Sequence, residues 1–163
     1  MNTDMKKQSC EIILILPDIR SAHNVGAIFR TADAFGVSKI IINGYTPSPI
    51  DRFGRERSDI SKASLGAQNT IPWEDVEDVI SYIKDKKDNG FEIVSLEQSS
   101  ESVEISKYNK KEKVLLVVGN EIKGVDEQVL NLSDQILEIP MMGQKESMNV
   151  SVSTGIALYV LSN

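Results

Sequence analysis

The chain has 163 residues, of which 40% are hydrophobic and 26% are charged. This length suits one domain, residues 1–163, which can bury roughly 70% of the unfolded surface, and the composition excludes a wholly disordered chain. No apolar run approaches the roughly 20 residues that a transmembrane helix needs. Residues 1–8 are polar and lack an apolar signal core, so we expect a cytoplasmic protein with no membrane partner.

The sequence holds one cysteine, Cys10, and one histidine, His23. A single cysteine cannot form an intramolecular disulfide. Structural zinc sites usually take four cysteine or histidine ligands, which this chain cannot supply. We therefore expect no metal site.

The net charge of −6 and a pI of about 4.9 argue, taken alone, against nucleic-acid binding. The charge is unevenly distributed, because all five arginines lie within the first 57 residues. Arginine is the preferred residue for bidentate phosphate contacts. The clustering indicates either an anion-binding end on an acidic body or a group of solvated surface arginines.

Apolar runs and helical patterns alternate along the chain. Residues 11–16 form a continuous apolar run, and Val25, Ile28, Phe29 and Ala32 then mark one face of a helix over 25–35. After this helix, the patterns predict a strand at 39–43 and an irregular region at 44–72, with a short helix near 60–65. A helix from 76 to 83, a strand at 91–96 and an exposed connection at 98–113 are predicted next. The remaining predicted elements are a strand at 114–118, a helix at 126–132, a strand at 136–139 and a last helix at 147–161.

This alternation predicts an α/β fold, with a mostly parallel sheet and helices on both faces. In such sheets ligands bind beyond the carboxyl ends of the strands. Polar, glycine-bearing segments follow the strands that end at Leu16, Val118 and Ile139. We expect the chemistry to lie in these three loops.

Each loop also has a purely structural interpretation. In the first loop, Asn24 stands where a helix N-cap is expected, and Arg30 fits a solvated helical position. In the second, Gly119 and Gly124 have P-loop spacing, but Val125 follows where a P-loop needs lysine, so Glu121 could be a turn residue. In the third, Ser147 is a possible N-cap, which puts Asn149 in the first helical turn.

Together the three loops resemble the three signature motifs of the SpoU-like (TrmH-type) RNA methyltransferases of the SPOUT superfamily. The first motif, N-x-G-x-x-x-R-T-A-x-x-F-G, is matched by Asn24, Gly26, Arg30, Thr31, Ala32, Phe35 and Gly36. The second, G-x-E-x-x-G, is matched by Gly119, Glu121 and Gly124. The third, I-P-M-x-G followed by S-x-N-V-S, is matched by Ile139, Pro140, Met141, Gly143, Ser147, Asn149, Val150 and Ser151. The resemblance covers residues 11–161, and residues 60–67 look like the family's linker.

The resemblance implies an α/β fold with a deep C-terminal trefoil knot and S-adenosylmethionine as the cofactor. It places the cofactor against five residues: Leu96, Gly119, Ile139, Ser147 and Met148. It also implies a homodimer formed through the first and last helices, in which each subunit completes the other's active site. No separate RNA-binding domain is expected.

The implied reaction is methyl transfer to a ribose 2′-hydroxyl of tRNA or rRNA. The catalytic positions of the family fall on Asn24, Arg30, Glu121, Ser147 and Asn149. A guanidinium is a poor base, so we expect Arg30 to hold a phosphate and stabilise negative charge on the attacking oxygen. The clustered basic residues would then form an RNA-contacting rim: Arg20, Arg52, Arg55, Arg57 and Lys62.

Two other classes of function stay open. A non-catalytic RNA-binding or ribosome-assembly protein could share the fold, although it would have little need of the complete polar set. A small nucleotide-binding oxidoreductase is disfavoured because the chain has no G-x-G-x-x-G fingerprint. The sequence does not identify the RNA or the nucleotide that is modified.

Overall fold

The computed structural model describes residues 10–163, so the prediction about residues 1–8 lies outside the described residues. The strands are β1 (Glu11–Pro17), β2 (Lys39–Asn43), β3 (Trp73–Asp75), β4 (Glu92–Leu96), β5 (Val103–Glu104), β6 (Lys113–Val118) and β7 (Gln135–Glu138). The helices are α1 (Ala22–Ala34), α2 (Ser58–Ser64), α3 (Val79–Asp88), α4 (Glu127–Leu132) and α5 (Val150–Ser162). Short 3₁₀ turns cover Ala67–Asn69 and Ile105–Lys107.

The seven strands form one sheet in the order β3-β2-β1-β6-β4-β7-β5. Every neighbouring pair in this sheet is parallel, for example β1 with β6, where Leu14 lies opposite Leu116. The carboxyl ends of the strands therefore meet at one edge. The predicted parallel sheet is confirmed.

Successive residues of β1 point to opposite faces of the sheet, and both faces are buried. Leu14 and Leu16 belong to a core that includes Phe29 of α1 and Leu158 of α5. Ile13 and Ile15 belong to a second core with Ile83 of α3 and Val129 of α4. Helices thus cover both faces, which explains why the central strands read as continuous apolar runs.

Several predicted boundaries were wrong, and the side chains that cap the helices explain why. Helix α1 begins at Ala22 because the Ser21 side chain accepts a hydrogen bond from the Asn24 N–H at 3.2 Å. Helix α5 begins at Val150, three residues after the predicted start. Helix α3 begins at Val79, where Asp78 is the N-cap.

The connection predicted over residues 98–113 was also partly wrong. It contains β5, and Ile105 is buried against the core. The sequence pattern missed β3 and β5 because edge strands of three and two residues are too short to show a hydrophobic period. The trefoil knot stays a prediction from the resemblance.

Candidate active site

The three motif loops lie together at the carboxyl edge of the sheet, beyond β1, β6 and β7. Hydrogen bonds join one residue from each loop. The Asn24 side-chain amide donates to Glu121 Oε1 at 3.4 Å, and the Asn149 amide donates to Asn24 Oδ1 at 3.2 Å. Three of the five predicted catalytic residues therefore form one polar network.

Glu121 is the anionic member of this network and is held mainly by backbone groups. Its carboxylate accepts from the N–H of Arg20 at 3.1 Å and from the N–H of Ser21 at 3.4 Å. Partial burial raises the pKa of Glu121, but the hydrogen bonds from Arg20, Asn24 and Ser21 outweigh burial and leave the pKa below its ordinary value. Glu121 is thus a fixed negative charge at neutral pH, not a plain turn residue.

The residues that cap α1 and α5 determine which polar side chains can make other contacts in the site. Ser21, not Asn24, caps α1, so the Asn24 amide is available to bridge the first and second loops. Asn149, not Ser147, caps α5, with its Oδ1 accepting from the Ser151 N–H at 2.8 Å. Ser147 is therefore left exposed in the loop before α5, at the edge of a cleft.

That cleft has a volume of about 420 Å³, which lies within the range of small-molecule sites. All five residues predicted to contact the cofactor line it: Leu96, Gly119, Ile139, Ser147 and Met148. Its wall combines apolar side chains such as Leu137 with the carboxylates of Glu97, Glu138 and Glu146. Such a lining suits a ligand with an aromatic ring system and a positively charged group.

The glycines of the second motif shape one wall of the cleft. Residues 120 and 124 exchange two backbone hydrogen bonds of 3.0 Å, which fold the loop back on itself. A Cβ at Gly119 would lie 2.9 Å from the Cα of Gly124. The motif therefore needs glycine at 119 because the two backbones touch there.

Sequence reasoning missed two polar residues that support the site. Asn120 is buried, and its amide donates to the Asp18 carbonyl at 2.6 Å and to the Tyr45 hydroxyl at 2.9 Å. Glu97 accepts from the Val125 N–H at 2.8 Å and so ties β4 to the second loop. Asparagine directly after Gly119 was the available signal, since its side chain often bonds turn backbone.

Arg30 is not part of this network. It lies exposed on α1, and within residues 10–163 its guanidinium has no hydrogen bond or ion pair. The geometry of one chain therefore leaves this cation available to a ligand or to a second subunit.

The predicted RNA-contacting residues lie at the surface, but they differ in how much of their charge is offset. Arg55 pairs with Asp51 at 3.0 Å, and Arg57 pairs with Asp59 at 2.8 Å. Arg20, Arg52 and Lys62 are exposed, and their side chains form no ion pair among the residues described. The unpaired cations are the stronger candidates for phosphate contacts.

Residues 10–163 contain neither a cluster of metal-ligand side chains nor a membrane-spanning helix. Over 10–163, no three histidine, cysteine or acidic side chains are arranged to hold a metal ion. Across that part of the chain, no helix has the length and apolar character to cross a bilayer.

Comparison with known proteins agrees with the motif assignment. A profile of the SpoU rRNA Methylase family matches residues 11–159. The chain is 35% identical over 147 residues to the 23S rRNA (guanosine-2′-O-)-methyltransferase RlmB of Neisseria meningitidis, covering 90% of this chain and 56% of that protein. It is 32% identical over 155 residues to the tRNA (guanosine(18)-2′-O)-methyltransferase of Aquifex aeolicus, covering 95% of this chain and 70% of that enzyme.

Solved structures show the same fold. The AdoMet-bound rRNA methyltransferase of Sinorhizobium meliloti superposes with a TM-score of 0.82 at 28% identity, over 94% of this chain and 56% of that one. The chain thus spans little more than half the length of two of these three relatives.

Proposed function

The chain belongs to the SpoU rRNA methylase family, and from this premise we propose that it transfers a methyl group from S-adenosylmethionine to a ribose 2′-hydroxyl of tRNA or rRNA. The observation that carries the proposal is the Glu121–Asn24–Asn149 network beside the cleft. The network joins all three motif loops next to the residues expected to hold the cofactor. Relatives named as rRNA and tRNA 2′-O-methyltransferases support the reaction class.

The side chains and backbone groups that line the cleft fit S-adenosylmethionine. Leu96, Leu137 and Ile139 offer apolar surface to an adenine ring, and backbone groups near the strand ends can bond its polar edge. The carboxylates of Glu97 and Glu138 favour a cation, and the sulfonium of S-adenosylmethionine carries one positive charge. When bound, this cofactor supplies a methyl group already activated by its positive sulfur.

The protein's own task is to align the ribose and manage the charge of its hydroxyl. Alignment can lower a barrier by roughly 7–11 kcal/mol. Asn24, Glu121 and Asn149 hold the three loops in a fixed relation, and Ser147 is exposed at the cleft for a polar contact with the ribose. Arg30 binds the adjacent phosphate and stabilises the negative charge that develops on the attacking oxygen.

We also propose that two chains pair through α1 and α5. Within one chain these helices meet where Phe35 packs edge-to-face on Tyr159 at 6.1 Å. Val152 and Tyr159 of α5 are nevertheless 54% and 59% exposed. A second chain on this face would cover that apolar surface and could bring its Arg30 to the partner's cleft.

The test is transfer of label from methyl-labelled S-adenosylmethionine into RNA that lacks the native modification, followed by alkaline digestion. A 2′-O-methyl group blocks cleavage of the neighbouring phosphodiester, so we expect the label in alkali-resistant dinucleotides. Label in mononucleotides would move the chemistry to a base and reject the ribose assignment. Cofactor binding without transfer to any cellular RNA would favour the non-catalytic RNA-binding alternative.

A further inference from the structure

Residues 50–57, which follow β2, form a tight turn with an aromatic side chain at its tip. Ile50 and Glu56 form an antiparallel bridge, and the Asp51 N–H donates to the Arg55 carbonyl at 2.8 Å. Phe53 stands at the tip with 66% of its surface exposed. The exposed Phe53 ring contributes little to the core, which leaves it accessible to a ligand.

The Asp51 carboxylate fixes the shape of this turn. Its Oδ1 accepts from the N–H groups of Phe53 at 2.8 Å and Arg55 at 3.0 Å, and its Oδ2 accepts from Arg55 Nε at 3.0 Å. These bonds, led by the one from the Arg55 backbone, hold the pKa of Asp51 below its ordinary value. The ionised Asp51 carboxylate therefore bonds the backbone of the turn on both sides of Gly54.

Two guanidinium groups accompany the ring. The Cζ atoms of Arg52 and Arg55 lie 4.8 and 5.0 Å from the Phe53 ring centroid, within cation–π range. Arg52 has no ion pair within residues 10–163, so its charge is not offset. The tip thus combines an exposed aromatic ring with Arg52, a cation that has no ion-pair partner among the described residues.

The segments that precede and follow the turn contact elements of the candidate active site. On one side, the Tyr45 hydroxyl accepts from Asn120, which neighbours Glu121. On the other, α2 follows, and its Ala63 touches α1 so closely that a Cβ on Gly26 would come within 2.6 Å of it. The segments that flank the turn therefore lie at the same end of the sheet as the three motif loops.

We propose that Phe53, with Arg52 and Arg55, is a stacking platform for an unpaired base of the RNA substrate. A base in single-stranded RNA exposes a π-face that an aromatic ring can cover, while guanidinium groups contact the flanking phosphates. A base inside a duplex offers no such face. This inference rests on the proposed function, and it assigns the chain a substrate with unpaired nucleotides near the modified ribose.

The test compares binding of two RNA probes by the full chain without cofactor: a fluorescein-labelled 12-nucleotide oligoadenosine and a 12-base-pair RNA duplex. Phe53→Leu is the matched variant, because it keeps an apolar side chain of similar size and removes the π-face. We expect Phe53→Leu to weaken oligoadenosine binding by roughly fivefold to thirtyfold. The affinity of Phe53→Leu for the duplex should stay within twofold of wild type, and the salt dependence of binding to both probes should not change. Phe53→Trp keeps an aromatic ring and should bind oligoadenosine as tightly as wild type.

The arginines give a different expected result. Arg52→Gln should lower the salt dependence of binding to both probes, since it removes a phosphate contact rather than a stacking surface. The platform is overturned if Phe53→Leu binds oligoadenosine as wild type does, or weakens both probes equally. It is also overturned if the wild-type chain binds no single-stranded RNA.

A second readout does not depend on affinity. Trp73 is the chain's only tryptophan, so Phe53→Trp in a Trp73→Phe background carries one indole at the tip. Stacking of a base should quench its fluorescence on addition of oligoadenosine, and unchanged fluorescence at saturating probe would reject stacking.

Failure of the two proposals can be told apart. Single-strand binding that depends on Phe53, with no methyl transfer, would reject the proposed function alone. Wild-type methyl transfer with unaltered binding by Phe53→Leu would reject the platform alone.

Discussion

Glu121 shows how one side chain can join two motif loops through hydrogen bonds. Its carboxylate accepts hydrogen bonds from the backbone of Arg20 and Ser21 and from the Asn24 amide. Bonds from N–H groups to a charged acceptor are stronger than neutral ones. The ionised carboxylate therefore stabilises the junction between the first and second motif loops.

This predicts a pH-dependent difference in stability between wild type and Glu121→Gln. The folded-state pKa of Glu121 lies below the ordinary value of 4.5, so its stabilising effect is complete above that value and is lost as the pH falls through the folded pKa. Urea denaturation should show wild type as the more stable protein at pH 6–7, with the difference shrinking below pH 4.5. A difference that stays constant down to pH 3 would contradict the assignment.

Arg30 is the second single side chain whose proposed role can be tested by substitution. We expect Arg30→Ala to lower the rate constant of methyl transfer roughly 100- to 1,000-fold, the usual effect of removing one donor to a developing oxyanion. S-adenosylmethionine binding by calorimetry should not change, because Arg30 is not part of the cleft lining. Lys84→Ala is the control, since this exposed lysine lies on α3, on the other face of the sheet. Turnover near wild type in Arg30→Ala would reject the role.

At the level of elements, the close contact between α1 and α2 explains the glycine of the first motif. A Cβ on Gly26 would lie 2.6 Å from the backbone oxygen of Ile60 and 2.6 Å from the Cβ of Ala63. Backbone atoms of a packed helix cannot move aside cheaply. Gly26 is therefore a motif residue that the packing of α1 on α2 requires.

Gly26→Ala should therefore destabilise the fold even though alanine is the better helix former. We expect a loss of about 1–3 kcal/mol in the free energy of unfolding, the usual cost of overpacking. Gly155→Ala is the matched control, because it is also a mid-helix glycine and its Cβ would meet only the Thr31 side chain at 3.3 Å. That variant should be neutral or more stable by up to about 1 kcal/mol. Equal effects in the two variants would reject close backbone contact as the reason.

The elements also show where sequence reasoning reaches its limit. The apolar runs of β1 and β6 predicted buried strands because both faces are covered, and the structure confirms this. The start of α1 was misplaced because Ser21 and Asn24 are both good N-caps, and the sequence does not say which one bonds the backbone. The motif resemblance located the three loops, but the Asn24–Asn149 bond joins residues 125 positions apart, which no local pattern predicts.

At the level of the whole molecule, the arginines and the exposed apolar residues of the last helix lie in different parts of the chain. All five arginines lie in the first 57 residues, within a chain of net charge −6. The last helix, by contrast, leaves Val152 and Tyr159 exposed. An acidic protein can bind RNA if its cations are concentrated in one place, and pairing of two chains would concentrate them further.

Dimerisation through α1 and α5 can therefore be tested by a substitution that introduces one charge into the proposed contact. Val152→Asp would place a carboxylate in the apolar contact, where desolvation without a partner is costly. Sedimentation should show wild type as a dimer and Val152→Asp as a monomer that transfers few methyl groups and keeps the circular dichroism spectrum of a folded chain. Val103→Asp is the control, because this valine is 39% exposed on the edge strand β5 and belongs to neither helix. A wild-type monomer that transfers methyl groups would show that one chain completes its own active site, with Arg30 reaching the ribose from its own α1.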